Sequence, residues 1–204
     1  MFGLSPVEVV AAAFGAVSVY LSARQHIASW PTAIVNVLLY AVVFRGARLY
    51  ADMGLQFVYA GLSVYGWYEW KYGGAERTAL PVSRTPARLW AVLAALGVGT
   101  AALLGYGFAT YTDAASPVLD SALTATSLVA QWMMTRKLVE NWLLWIAADV
   151  VYVPLFASRG LYPTAVLYTV FLALAAKGYV DWRRSLRARE AGAPAAAVAA
   201  TASP

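Results

Sequence analysis

Residues 140–152 read ENWLLWIAADVVY, and this stretch determines how the rest of the chain is interpreted. On a helix with 100° per residue, Trp142, Trp145, Asp149 and Tyr152 fall within an arc of roughly 80°. Two indole rings, a carboxylate and a phenol therefore face the same place. An ionisable group inside an apolar segment is costly in lipid and usually lines a pathway or a site. The stripe is therefore a candidate binding surface.

The stretch has a counterpart 112 residues earlier, where residues 28–40 read ASWPTAIVNVLLY. Trp30 aligns with Trp142 at this offset, and Tyr40 aligns with Tyr152. The offset also aligns Phe44 with Phe156, Gly66 with Gly178, Arg24 with Arg136, and Glu69-Trp70 with Asp181-Trp182. Tryptophan and glycine matches at one constant spacing indicate an internal duplication.

The composition indicates an integral membrane protein. The 204 residues are 61% hydrophobic and only 12% charged, with a mean hydropathy of +0.62, whereas a soluble domain is roughly half apolar and a quarter charged. Hydrophobic periodicity predicts seven segments, at about 6–23, 29–44, 50–70, 88–109, 117–135, 139–157 and 161–181. The bilayer is therefore the first predicted partner of the chain.

Two repeats of three spans, joined by a fourth span that restores their parallel orientation, give a 3+1+3 arrangement. We predict an all-α protein with seven transmembrane helices in parallel duplicated three-helix bundles, the class that includes the SWEETs. The predicted units are a first repeat at 1–72, a cytoplasmic loop and linker helix at 73–116, a second repeat at 117–183 and a disordered C-terminal tail at 184–204.

The Lys and Arg residues predict the orientation. With the N-terminus outside, eleven of the fifteen lie in cytoplasmic segments and three lie outside, while Lys177 lies inside the last span. Cytoplasmic loops carry an excess of basic residues, so we predict an external N-terminus and a cytoplasmic C-terminus.

Polar stripes mark further candidates on other spans. Gln56 and Tyr59 share a face of span 3, Asn36 and Tyr40 share a face of span 2, and Gln131 lies on a polar face of span 5. Asn36 is equally consistent with packing between helices. An interfacial aromatic belt also explains Trp142, and helix–helix hydrogen bonds are the alternative for Asp149 and Tyr152.

Several function classes lack support in the sequence. His26 is the only histidine and there is no cysteine, so we expect no catalytic set, no metal site and no cofactor. No phosphate-binding glycine motif is present, and the basic residues do not form a nucleic-acid-binding face. The predicted site is aromatic, amide-rich and acidic, which suits a planar cationic ring better than a phosphorylated ligand. We therefore expect a transporter rather than an enzyme.

The chain resembles the nicotinamide riboside transporter (PnuC) family. The resemblance rests on the run from Trp30-Pro31 through Gln56, on YGWYEW at 65–70 and on TRKLVENWLLW at 135–145, and it covers about residues 5–183. It implies a SWEET-like homotrimer in the bacterial inner membrane that imports nicotinamide riboside by facilitated diffusion. Phosphorylation by a cytoplasmic kinase would then trap the vitamin.

By the same resemblance, Trp142 and Trp145 would pack on the pyridinium ring with Asn141 nearby. The amides of Asn36, Gln56 and Gln131 are then candidates for the carboxamide and the ribose. Relatives of this fold carry thiamine or riboflavin, so a thiamine transporter is the main alternative. A sugar carrier and a non-transporting scaffold are further alternatives, and the buried polar stripes on four spans argue against the scaffold.

Overall fold

The computed structural model describes the backbone of residues 5–111 and 116–201, and their side chains except those of Ala51 and residues 193–201. Over these residues the chain forms seven α-helices: α1 Pro6–Ala23, α2 Ser29–Gly46, α3 Tyr50–Tyr72, α4 Ala87–Tyr111, α5 Pro117–Thr135, α6 Asn141–Ser158 and α7 Tyr162–Thr201. The predicted segments agree with these bounds to within two residues, except at the end of α7.

Five of the helices in the described part of the chain are long and apolar enough to cross a membrane, namely α1, α2, α4, α6 and α7. The other two, α3 and α5, have 23 and 19 residues but carry the polar stripes predicted from the sequence. The all-helical membrane class is therefore confirmed, and the seven-span arrangement stays a prediction.

The end of α7 differs from the predicted disordered tail. The helix continues from residue 184 to Thr201. Alanine, which has the highest helix propensity, is the commonest residue of this segment, whereas Gly192 and Pro194 within it disfavour a helix. The predicted unit boundaries at 72, 116 and 183 stay predictions. Residues 112–115 of the predicted linker, residues 1–4 and residues 202–204 lie outside the described residues.

The structure repeats along the chain with the 112-residue offset. The bounds of α6 are those of α2 displaced by this offset, and α7 begins 112 residues after α3. The turns repeat too, because the same positions adopt left-handed backbone: Gln25 and Lys137 have φ of 55° and 48°, and Arg48 and Gly160 have φ of 60° and 72°. Equivalent positions thus fold in equivalent ways.

Packing follows the repeat. Helices α1, α2 and α3 pack in chain order and form what we call the first unit, and α5, α6 and α7 do the same in the second unit. The two units meet along α1–α7 and α3–α5, which are counterparts of each other at the offset of 112. Helix α4 packs against α5 of the second unit.

Four buried tryptophans join the units at the end of the bundle where α1, α3 and α5 finish, which we call the tryptophan end. This tryptophan quartet consists of Trp30, Trp70, Trp142 and Trp182, each at most 2% exposed. Trp30 meets Trp70 edge to face at a centroid distance of 5.2 Å, and Trp142 meets Trp182 in the same way at 5.4 Å. Trp70 and Trp182 lie 5.7 Å apart and connect the two pairs.

Residues 80–85, which we call the strap, cover the quartet. The amide of Leu80 donates to the carbonyl of Trp70, and Val82 is buried among the quartet residues. Ser83 exchanges backbone hydrogen bonds with Lys137 and Val139 in a single β-bridge. The strap therefore connects the end of α3 with the turn between α5 and α6.

Candidate functional site

The predicted stripe on α6 divides into a packed part and a site-facing part. Trp142 is 1% exposed, lies in the tryptophan quartet and packs directly on Gly178 of α7. Its indole Nε1 is buried and has no hydrogen-bond partner among the described residues. The counterpart Trp30 packs on Gly66 in the same way. The structure therefore places Trp142 in the core of the tryptophan end.

Asn141 lies beside this core at the first turn of α6. It is fully buried, and its Nδ2 donates to the carbonyl of Leu138 at 2.6 Å. Its Oδ1 has no hydrogen-bond partner within the described part of the chain. This bond satisfies one carbonyl in the turn before α6 and orients the start of the helix.

Trp145 lies one turn further along α6 and has a different environment. It is half-buried, and one side of it packs against the core around the quartet. Its indole is therefore held in place while part of its surface stays accessible. Of the two predicted ring-stacking tryptophans, Trp145 is the one that the structure leaves available.

Asp149 lies about one further turn along α6 and is only 4% exposed. No Lys, Arg or His among the described residues forms an ion pair with it. An isolated carboxylate in such a place is costly unless a counter-charge or hydrogen bonds compensate it. Asp149 is therefore a buried acidic group without a charged partner in the described part of the chain.

Aromatic rings of α6 and α7 surround this region. Tyr152 stacks on Phe156 at 5.5 Å and meets Tyr168 at 4.9 Å, and Tyr168 also contacts Phe156 and Phe171 at 4.9 and 5.6 Å. Tyr168 was not predicted as a site residue. Its position aligns with Gln56, a predicted site residue, so the duplication was the signal that could have identified it.

Tyr168 lies at the meeting point of the predicted residues from both units. It contacts Tyr152 and interacts electrostatically with Asp149 of the second unit and with Tyr40 and Tyr59 of the first. Tyr40 stacks on Phe44 at 5.9 Å. These predicted residues therefore come together around a residue that the stripes alone did not reveal.

Ser127 of α5 is a second residue that sequence reasoning did not select for the site. Its hydroxyl lies beside the hydroxyl groups of both Tyr59 and Tyr152. It is buried and lies four residues before Gln131 on α5. Hydroxyl groups from α3, α5 and α6 thus converge at the boundary between the units.

The predicted amides fall into two groups. Asn36 donates from Nδ2 to the carbonyl of Ala11 at 2.6 Å and lies over Gly15, so it joins α1 to α2. Gln56 and Gln131 are half-buried, and neither side-chain amide is hydrogen-bonded within the described ranges. These two glutamines are therefore free to bind a polar ligand, whereas Asn36 already has a packing role.

Charge at the tryptophan end is arranged differently from charge in the ring cluster. The ammonium of Lys137 lies 4.4 Å from the centroid of the Trp70 ring, under the strap. Burial lowers the pKa of Lys137 to about 8, because the charged form loses hydration.

In the described ranges no three His, Cys, Asp or Glu residues converge as metal ligands. Two external grooves, of about 260 and 330 Å³, are lined by other residues.

The helices of membrane length define a multi-pass membrane protein, and a carboxyl group and several phenols mark its candidate polar site. The sequence profile of the family described as "Nicotinamide mononucleotide transporter" matches residues 5–184. The chain belongs to this family of small-molecule membrane transporters, the family of the PnuC proteins.

The relatives carry different substrate names. The chain is 29% identical to the nicotinamide riboside transporter PnuC of Escherichia coli, over 92% of this chain and 89% of that protein. It is 31% identical to the riboflavin/roseoflavin transporter RibM of Streptomyces davaonensis, over 92% and 91% of the two chains. The fold is similar to the crystal structure of the vitamin B3 transporter PnuC, with a TM-score of 0.71 and 24% sequence identity. The match covers 89% of this chain and 82% of the PnuC chain, and it supports the fold.

Proposed function

We propose that the protein imports unphosphorylated nicotinamide riboside by facilitated diffusion. The observation that carries this proposal is Asp149, a buried carboxylate without an ion-pair partner in the described part of the chain. Aromatic rings from α6 and α7 lie next to it. A pyridinium ring supplies the missing positive charge and stacks on aromatic faces, with a cation–π contribution of about 0.5–2 kcal/mol.

The same site disfavours a phosphorylated substrate. A phosphate group needs Arg or Lys side chains or clustered backbone amides, and Asp149 would repel it. The name of the family profile refers to the mononucleotide, whereas the E. coli relative is named for the riboside. The acidic character of the ring cluster favours the riboside.

Trp145, Gln56 and Gln131 complete the proposed site. Trp145 offers one indole face to the ring, and the two free amides can bind the carboxamide and the ribose hydroxyls. Asn141 and Trp142 then support Trp145 from the core instead of contacting the ligand. Tyr40, Tyr59 and Tyr152 form the wall of the site around Tyr168.

Riboflavin is the second candidate substrate, because RibM is 31% identical to this chain over nearly its whole length. Its ring system is neutral, so it would leave Asp149 without a counter-charge. Thiamine remains the cationic alternative, since a thiazolium ring makes the same electrostatic and stacking contacts.

The proposed architecture is the 3+1+3 arrangement with a pseudo-two-fold axis along the membrane normal. The displaced helix bounds and the matched contacts α1–α7 and α3–α5 support it. Helices α3 and α5 then cross the bilayer at the centre of the bundle, where their polar faces meet each other. In this arrangement the two units rock about the midplane site and expose it alternately to either side.

The tryptophan end is proposed to face the cytoplasm, with the N-terminus outside and the C-terminus inside. Eleven of the fifteen basic residues lie at this end, in the turns after α1, α3 and α5 and in the later part of α7. A bacterial inner membrane is the proposed location. A cation then gains about 2.3 kcal/mol per 100 mV of negative-inside potential on import.

A homotrimer and a cytoplasmic kinase complete the proposal and follow from the family resemblance. Exposed apolar side chains on α4, such as Leu96, Val98 and Leu103, supply a surface for lipid or a neighbouring subunit. The kinase would remove free riboside from the cytoplasm and keep the gradient directed inward.

Calorimetry and liposome counterflow with the purified protein test the substrate. Three forms of the protein are tested: the wild type, Trp145→Ala and the control Trp67→Ala, which alters an exposed tryptophan of α3. Each is given nicotinamide riboside, its mononucleotide, thiamine and riboflavin in turn. We expect riboside binding that Trp145→Ala abolishes and Trp67→Ala preserves. Binding of riboflavin alone would replace the proposed substrate, and binding of the mononucleotide would contradict the phosphate-free site.

A further inference from the structure

Two interfaces at the tryptophan end share one framework. The indole Nε1 of Trp70 donates to the carbonyl of Met134 at 3.0 Å, across α3–α5. The indole Nε1 of Trp182 donates to the carbonyl of Ser22 at 3.1 Å, across α7–α1. Because donor and acceptor are both displaced by 112 residues, the backbones of the two interfaces meet in the same way.

The first interface also contains a closed ion pair. Arg136, at the end of α5, lies 2.6 Å from Glu69 of α3, and its guanidinium donates to the hydroxyl of Tyr65 at 3.1 Å. The Glu69 side chain is only 13% exposed, which reduces screening by water. Tyr65 and Glu69 therefore hold an arginine of the other unit.

The second interface has the same three positions with different chemistry. Tyr65, Glu69 and Arg136 correspond at the offset of 112 to Lys177, Asp181 and Arg24. Here the carboxylate of Asp181 pairs with Lys177 on its own helix. Arg24 is exposed and forms no side-chain hydrogen bond or ion pair with the described residues.

Two differences explain why the second pair is open. Asp181 is one methylene shorter than Glu69, so its carboxylate falls short of an arginine placed as Arg136 is. Lys177 replaces the neutral Tyr65 and competes with Arg24 for the same carboxylate. A small closing movement of α1 against α7 would bring Arg24 within reach and allow the exchange.

We propose that Asp181 switches between Lys177 and Arg24 during the transport cycle, so that Arg24–Asp181 is a mobile counterpart of the fixed pair Glu69–Arg136. The Lys177 pair is present in the conformation described, and the Arg24 pair forms when α1 closes further against α7. The inference rests on the proposed transport function. It assigns a gating role to Lys177, a basic residue within the last predicted span.

The variant Asp181→Glu tests the switch, because a longer side chain reaches Arg24 after a smaller closing movement of α1 against α7. We expect it to hold the tryptophan end closed and to slow riboside uptake into liposomes roughly two- to fivefold, the population change that a half-exposed ion pair produces. Adding Arg24→Gln to this variant should restore the rate. Lys177→Tyr, which copies the first interface, should slow uptake in the same direction.

Glu69→Asp is the matched control, because it shortens the fixed pair by the same methylene. It should lower the melting temperature without slowing uptake. An unchanged rate in Asp181→Glu would overturn the switch. A slow rate that persists after Arg24→Gln would show that the effect passes through Lys177 alone and would overturn it as well.

A readout without substrate separates this proposal from the substrate assignment. In detergent, Arg24→Gln should lower the melting temperature of Asp181→Glu but leave that of the wild type unchanged. If this coupling is present while no riboside is transported, the substrate assignment fails and the ion-pair exchange stands. If the coupling is absent, the exchange is wrong whatever the substrate.

Discussion

The indole nitrogen of Trp70 donates a hydrogen bond to the carbonyl of Met134 across the boundary between the two units. Both residues are buried, and the Met134 carbonyl also accepts from the amide of Lys137 in the turn after α5. The units are therefore joined at the tryptophan end by specific polar contacts as well as by ring packing. The stability of this end can be tested separately from substrate binding.

Replacing either interface tryptophan should destabilise the protein. Trp182→Phe removes the indole donor to the buried Ser22 carbonyl, which still accepts from the amide of Gln25, so the lost hydrogen bond costs about 0.5–1.5 kcal/mol. We expect a lower melting temperature in detergent, measured by monitoring the intrinsic fluorescence during thermal unfolding. Trp67→Phe is the control, since Trp67 is 41% exposed and should change little. Equal effects of the two substitutions would contradict the buried role of Trp182.

Gly178 permits the close approach of α6 and α7. A Cβ at this position would lie 2.6 Å from the Trp142 indole, so Gly178→Ala must displace a buried ring. Overpacking of this kind costs about 1–3 kcal/mol, and the melting temperature should fall. Gly61→Ala is the matched control, because no atom lies within 4 Å of its Cβ position and alanine favours the helix. A melting temperature as high as that of the control would show that the ring has room to move.

Stability should depend on pH through Lys137. Its pKa is about 8 in the folded protein and near 10.5 in the unfolded chain, so the unfolded chain binds more protons between these values. The free energy of unfolding should therefore rise as the pH increases from about 8 to 10. Relative to Lys137→Met, the wild type should gain about 1–3 kcal/mol over this range. Thermal unfolding at a series of pH values measures the difference.

Lys71→Met provides the reference for that experiment, because Lys71 is exposed. The wild type and this variant should show the same pH dependence. A wild-type stability that falls relative to Lys137→Met between pH 8 and 10 would have the wrong sign and would contradict the burial of the ammonium.

Asp149→Asn should separate cationic from neutral ligands. The substitution keeps the shape and removes the charge, so riboside affinity should fall about tenfold or more, or roughly 1.4 kcal/mol. Riboflavin affinity, if any, should not fall, and the melting temperature should rise because a buried unpaired charge is removed. Calorimetry with both ligands measures these changes. Unchanged riboside binding would show that the carboxylate does not face the substrate.

The duplication explains why so much of the fold was predictable. Helix periodicity gave the bounds of six helices within two residues, and the Trp30–Trp142 alignment predicted the relation between the units. The composition of the C-terminal segment predicted disorder, whereas the structure has a longer α7. Composition does not decide between the two, because an alanine-rich segment is compatible with both helix and coil.

The candidate site was predictable only in part. Asp149, Tyr152, Tyr40 and Tyr59 all interact electrostatically with Tyr168, and their role in binding stays a prediction. Trp142 shares the stripe with Asp149 but lies in the core of the tryptophan end. The angular position of a residue on its helix does not specify which residue of the neighbouring helix lies against it. Here Gly178 of α7 has no side chain, so the Trp142 indole packs directly on the α7 backbone.

The sequence by itself determined the membrane class, the helices, the duplication and the family, because these depend on composition, period and aligned motifs along one chain. Only the tertiary structure decided which tryptophans are buried in the core and which stay partly accessible, and it alone placed Tyr168 in electrostatic contact with residues of both units. It also showed that Arg136 is paired and Arg24 is not. These distinctions depend on distances between helices far apart in the chain, where one methylene or one missing Cβ changes the partner.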